Sequence, residues 1–186
     1  ELDTASVDTL AGLARHPEVV AIGECGLDYF RNFSPRAAQQ QAFHRQLELA
    51  VQVGKPVFLH QRDAHDDFVA ILREHAPEWR GVAHCFTGSA AQLHCYLQLG
   101  LAIGITGWIC DERRGAHLAA LMPQVPAERL LLETDAPDQT PRPHRGRDEP
   151  AFLAGIAAAV ARALGAGVEA VDALTSGNAR RLFRLG

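Results

Sequence analysis

Four short apolar runs in this 186-residue chain end in side chains able to bind a metal ion or move a proton. Val19–Ile22 runs into Gly23-Glu24, Pro56–Leu59 into His60, Gly81–Ala83 into His84, and Arg129–Leu132 into Glu133-Thr134-Asp135. Neutral imidazoles with carboxylates form a mixed nitrogen and oxygen shell, suited to a divalent ion that keeps positions open for water and substrate. A carboxylate such as Glu24 can bridge two ions, and water on such an ion ionises near neutral pH. Asp135 could ligate the metal or orient that water. A lone strand-end histidine is ordinarily a hydrogen-bonded structural side chain. Four ligand-type residues at four strand ends make a different pattern, and spacing alone leaves the metal site and the structural explanation both open.

The elements that position these residues alternate. Helix Thr4–Ala14 feeds Val19–Ile22. Ser34-Pro35 supplies an N-cap and a first-turn proline for a helix ending at Gly54. Helix Ala64–His75, a helix capped by Ser89 and stopping at Gly100, strand Leu101–Ile105 and a short helix near Gly115–Leu121 follow. After the Pro- and Arg-rich stretch Asp138–Glu149, Pro150 starts a helix to Leu164, and two short helices reach Phe183. Apolar strands of four to six residues between helices predict a parallel sheet covered on both faces. Strand ends lie 36 residues apart (Glu24 to His60), then 24 to His84, about 22 to Thr106 and about 29 to Asp135. That is one βα unit per strand, the pitch of a (β/α)8 barrel of about 250 residues. Five strands are present. A doubly wound sheet is the rival, but the chain has no GxGxxG and no GxxxxGK[ST] phosphate turn.

Composition narrows the class. The net charge of −4 and 22% charged residues fit a globular chain and argue against non-specific coating of nucleic acid. Length predicts one domain over residues 1–186. The apolar stretch Leu153–Val168 is broken by Arg162 and falls short of the ~20 residues of a membrane span. No basic, then apolar, leader opens the chain, and four cysteines without CxxC spacing read as reduced thiols, so a cytoplasmic location is expected.

The words around these residues resemble a known family. Gly23-Glu24-Cys25-Gly26-Leu27-Asp28-Tyr29, Phe58-Leu59-His60-Gln61-Arg62-Asp63-Ala64, His84-Cys85-Phe86-Thr87-Gly88, Ile105–Gly115 and Glu133-Thr134-Asp135-Ala136-Pro137 resemble, in order, the motifs of the TatD family of metal-dependent deoxyribonucleases. Asn178-Ala179-Arg180-Arg181-Leu182-Phe183 is similar to its closing helix. The resemblance implies a TIM-type barrel of the metal-dependent hydrolase kind, with about five of eight strands in this chain. It implies two divalent ions per site, Mg2+ first with Mn2+ or Zn2+ as alternatives, and 3′ to 5′ hydrolysis of single-stranded DNA or RNA. By matching motif, Glu24 bridges the metals, His60 and His84 hold the second ion, and Asp135 sits on the first and helps activate water. Asp28 and Glu133 fall behind these ligands.

Two departures stand out. The family's early His-x-His pair and Gly-Val-His-Pro-His loop have no counterpart, so the chain is expected to begin in the helix before the family's fourth strand, about 75 residues in against a full barrel. The family's Asn in an Arg-Asn-Glu-Pro stretch is Asp148 here, and Asp138 takes a position often aromatic.

Arg62, Arg113, Arg114, Arg142, His144, Arg145 and Arg147 fall on expected mouth loops and give an acidic chain a local positive rim for phosphates. Arg62, Arg113 and Arg145 are the candidate phosphate contacts. Trp108 is a candidate for stacking a base; Phe30 or Phe33 could do the same, but core or lid packing is the better reading of each Phe. His16, His44, His65, His75, His94 and His117 lie on helices without ligand spacing and read as surface residues. Two rival functions remain. One is metal-dependent removal of a D-amino acid from tRNA, an activity ascribed to some relatives. The other is a non-catalytic barrel fragment. Neither a membrane nor an obligate protein partner is expected.

Overall fold

Buried aliphatic and aromatic side chains recur at helical spacing in the long helices, alternate in the first two strands and run without a break in the short third and fourth ones, as a sheet covered on both faces requires. The structure, a computed structural model, describes residues 4–113 and 115–186. The chain divides into two compact units, the first running to His84 with 98–101 and 182–186, the second comprising 85–97 and 102–181.

The first unit runs α1 (Thr4–Ala14), β1 (Ile22–Asp28), α2 (Arg36–Val53), β2 (Val57–Arg62), α3 (His65–Glu74) and β3 (Gly81–Ala83). β1 pairs parallel with β2, and β2 with β3. Val57 and Leu59 are buried on β2, and Phe43 and Leu47 on α2. Phe43 stacks on Phe68 of α3, with ring centroids 5.3 Å apart and planes 6° from parallel. Both rings are fully buried, and each such burial contributes about 1.5–3 kcal/mol. Gly54, at φ 67°, closes α2 in the left-handed cap for which glycine is suited.

The second unit holds β4 (Ala102–Ile105), a 3-10 turn over Gly107–Cys110, α5 (Ala116–Leu121), β5 (Leu130–Leu132) and α6 (Leu153–Leu164), together with all but the final residues of α4 (Ala90–Gln98) and α7 (Val168–Phe183). β4 and β5 pair parallel. Ile156, Ala159 and Val160 form the buried stripe of α6. Buried Asn178 on α7 donates from Nδ2 to the carbonyls of Ala127 (2.7 Å) and Leu130 (2.8 Å), fastening α7 to the approach to β5.

Five strands are present among the described residues, each separated by a helix, as the spacing predicts. Three local expectations need correction. β1 does not occupy Val19–Ile22: it begins at Ile22 and runs through the polar stretch to Asp28, because β2 satisfies the backbone that far. Glu24 and His60 therefore lie inside strands. Pro35, not Ser34, stands at the N-cap of α2, and the Ser34 carbonyl accepts from Gln39 Nε2. The last segment is one helix, α7, because buried Val171, Thr175 and Asn178 keep a continuous face past Gly177.

Candidate metal centre

An interruption in β1 shapes the first unit's polar face. The ladder to β2 pairs Gly23 with Phe58 and Cys25 with Leu59, skipping Glu24. A bulge of this kind re-aims one side chain while the strand continues. Beyond it, Cys25 and Leu27 are buried at 4% and 0% exposure, while Glu24 and Asp28 turn toward the face that carries His60. Gly26 stands opposite His60 at φ +144°, and a Cβ there would come within 1.9 Å of the His60 carbonyl oxygen. Only glycine lets the strands run this close at that point.

His60 Nδ1 lies 2.7 Å from Glu24 Oε1, and its Nε2 lies 3.5 Å from Asp28 Oδ2. His84 Nε2 lies 3.9 Å from the same Glu24 oxygen. His84 follows β3, where its backbone N–H donates to the Leu59 carbonyl at 2.9 Å and its ring tilts against Phe58. Its side chain is only 6% exposed, whereas that of Glu24 is 48% exposed. Asp28 accepts from the backbone N–H groups of Phe30 (3.0 Å) and Arg31 (2.8 Å), which orders the turn after β1. Burial pushes the Asp28 carboxyl up, but the Arg31 N–H, the His60 imidazole and the Phe30 N–H outweigh it and hold the group below its ordinary value.

These residues fit a divalent ion. One ligand atom from each of Glu24, His60 and His84 lies within 4.8 Å of the others. Buried His60 Nε2 has no hydrogen-bond partner. One anionic oxygen donor from the solvent-reached Glu24 carboxylate and two imidazoles make an open shell of the kind catalytic ions use. A cavity of about 310 Å³ opens beside Glu24 and His60, with Asp28, Arg31 and Phe33 also on its wall.

In the second unit, Glu133 Oε1 accepts from the backbone N–H of Cys85 at 2.6 Å. A Cβ at Gly104 would reach that same oxygen at 2.2 Å. Asp135, in the left-handed region at φ 67°, accepts through Oδ2 from Gln139 Nε2. Gln139 Oε1 accepts from the Thr106 hydroxyl at 2.9 Å, which leaves its amide nitrogen for Asp135. Burial pushes the neighbouring Cys85 thiol up to about 11. Trp108, Asp111, Gln139, Arg142, His144 and Arg145 share the wall of a cavity of about 660 Å³. Arg142 Nε pairs with buried Asp111 Oδ2 at 3.4 Å, and the His144 ring stacks on Phe152 at 4.0 Å. Arg113 is exposed and its backbone N–H donates to Asp111 Oδ1. Arg114 lies outside the described residues.

Several side chains have surroundings that the sequence does not show. Arg62 lies over the Phe30 ring, its Cζ 3.8 Å from the centroid. Phe30 and Phe33 are not core residues, being 61% and 90% exposed. His44 and His75 are partners, Nδ1 to Nε2 at 2.9 Å, because α2 and α3 pack side by side. Nothing in the local sequence around Gln139 marks an amide turned onto Asp135.

Comparison with known proteins agrees with the geometry. The family model described as TatD related DNase matches residues 1–184. The 3'-5' ssDNA/RNA exonuclease TatD of Erwinia billingiae is 55% identical over 183 residues, covering 95% of this chain and 70% of that protein. The protein of the same name from Edwardsiella piscicida is 55% identical over 186 residues, covering 97% of this chain and 72% of its own. Among solved structures, the TatD homolog YJJV of Escherichia coli K12 superposes with a TM-score of 0.89 at 32% identity, over 99% of this chain and 72% of that one.

Proposed function

Because this chain belongs to the TatD-related DNase family, a family of metal-dependent hydrolases on a TIM-type barrel, we propose that it removes nucleotides from the 3′ end of single-stranded DNA and RNA. The observation that carries this reading is the convergence of His60 and His84 on one oxygen of Glu24, at 2.7 and 3.9 Å, on a face open to solvent.

The chemistry a bound divalent pair would supply is polarisation of the attacking water and neutralisation of charge on the phosphodiester. Glu24, His60 and His84 would hold such an ion. Mg2+ is the ion we assign, because phosphate and water oxygens would complete its shell. The two imidazoles make Mn2+ and Zn2+ its competitors. Asp28, kept anionic by two backbone N–H groups, faces the far nitrogen of His60 and favours an imidazole fixed in one orientation. Asp135, steadied by Gln139, is the carboxylate we assign to orienting the attacking water, with Glu133 behind it. Arg62, Arg113 and Arg145 are assigned to the substrate phosphates and Trp108 to a base. Residues 1–186 would act as one catalytic domain.

No single described helix is long and apolar enough to cross a membrane. The cysteines stand as thiols rather than disulfides, the form a reducing compartment keeps, and on that ground we assign the chain to the cytoplasm. Matched DNA and RNA oligonucleotides, each labelled at the 5′ end, test the substrate class. A ladder shortening from the 3′ end on both is the expected result, and internal cuts alone would overturn the exonuclease mode.

A further inference from the structure

Two phenylalanines follow β1, and the structure separates them. The face of Phe30 is taken by the Arg62 guanidinium at 3.8 Å. Phe33 is 90% exposed, the highest value among the exposed large apolar side chains of the described residues, yet it stands on the wall of the cavity that holds Glu24 and His60. Apolar surface left in water is costly, and a lone aromatic ring at the edge of a polar cavity gains nothing from the fold. Nucleobases are the component of a nucleic-acid strand that such a ring can cover, since every base presents a π-face whatever its sequence. Arg31 shares the cavity wall, with its guanidinium 3.7 Å from Asp28 and half exposed, so a cation stands near the ring for the phosphate that accompanies a base.

We propose that Phe33 is the stacking platform for a base of the strand held at the Glu24–His60 cavity, while Phe30 serves to position Arg62. This rests on the nuclease reading above and adds a substrate contact to it. The contact is indifferent to base identity, as an enzyme that shortens strands of any sequence requires.

The test is binding of a fluorescent single-stranded oligonucleotide, made resistant to cleavage by phosphorothioate linkages, to the intact chain with Mg2+. Phe33→Ala should weaken binding about 5- to 150-fold, the range for one lost base stack. Phe33→Trp should restore it, while Phe33→Leu, apolar without a π-face, should not. An oligonucleotide with abasic residues at its last three 3′ positions should bind wild type and Phe33→Ala alike. Because the ring is exposed, these variants should unfold at the wild-type temperature. Equal affinity of wild type and Phe33→Ala for the intact oligonucleotide, or full rescue by Phe33→Leu, would overturn the stacking role alone. Failure of the wild-type chain to bind any oligonucleotide would overturn the nuclease reading and the stacking role together.

Discussion

His60 Nδ1 and Glu24 Oε1 stand 2.7 Å apart although the β1 to β2 ladder gives Glu24 no partner residue. The bulge frees Glu24 from strict alternation, and the close approach at Gly26 brings His60 within reach. If these two side chains and His84 form a metal centre, ligand binding must show as stability. Mg2+ at a hundred times its dissociation constant should add about 2.7 kcal/mol. In a chain of this size that is a rise of roughly 5–10 °C in the unfolding midpoint. A thermal scan with and without Mg2+ checks this, and the double variant Glu24→Ala/His84→Ala should show no rise.

The same geometry makes Gly26 irreplaceable. A methyl group there would lie 1.9 Å from the His60 carbonyl, in a backbone conformation that side chains rarely adopt. Gly26→Ala should cost about 3 kcal/mol or more, read as a fall in the urea midpoint. An unchanged midpoint would mean that β1 and β2 are not held this closely.

Much of this was legible in the residues. Glu24, His60 and His84 were recognisable because each interrupts or ends an apolar run, and parallel strands bring such interruptions to one edge. The extent of β1 was not legible. Gly23-Glu24-Cys25-Gly26 carries turn-forming glycines, and only pairing with β2 makes it a strand. Gln139 and the His44–His75 pair were invisible for a related reason. One depends on a loop with left-handed residues at Asp135 and Gln139, the other on how two helices cross.

Asp148, buried at 2% exposure, has a carboxylate oxygen without a partner. Its other oxygen accepts from the Glu149 backbone N–H at 2.9 Å, so an amide in its place removes the cost of a half-satisfied buried charge. Asp148→Asn should therefore gain about 1 kcal/mol, a rise of roughly 2–4 °C in the midpoint. A loss of stability would show that the charge is satisfied in solution.

Cys25 gives a pH dependence. Burial, with help from the Glu24 charge, pushes its thiol from 9.0 up to about 12. The folded chain then holds this proton more tightly than the unfolded chain does. The resulting stability is fully present below about pH 9 and is lost as pH rises toward 12. Urea titrations across that window should show a decline that Cys25→Ala makes shallower, and iodoacetamide at pH 8 should leave Cys25 unmodified until the chain unfolds.

The most direct measurement follows a 5′-labelled single-stranded oligonucleotide incubated with the chain and Mg2+, with Glu24→Ala alongside. The metal centre predicts a ladder retreating from the 3′ end, stopped by EDTA and reduced at least a hundredfold in Glu24→Ala while that variant stays folded. A folded wild-type chain that leaves the oligonucleotide intact, or a Glu24→Ala variant that cuts as fast as wild type, would contradict it.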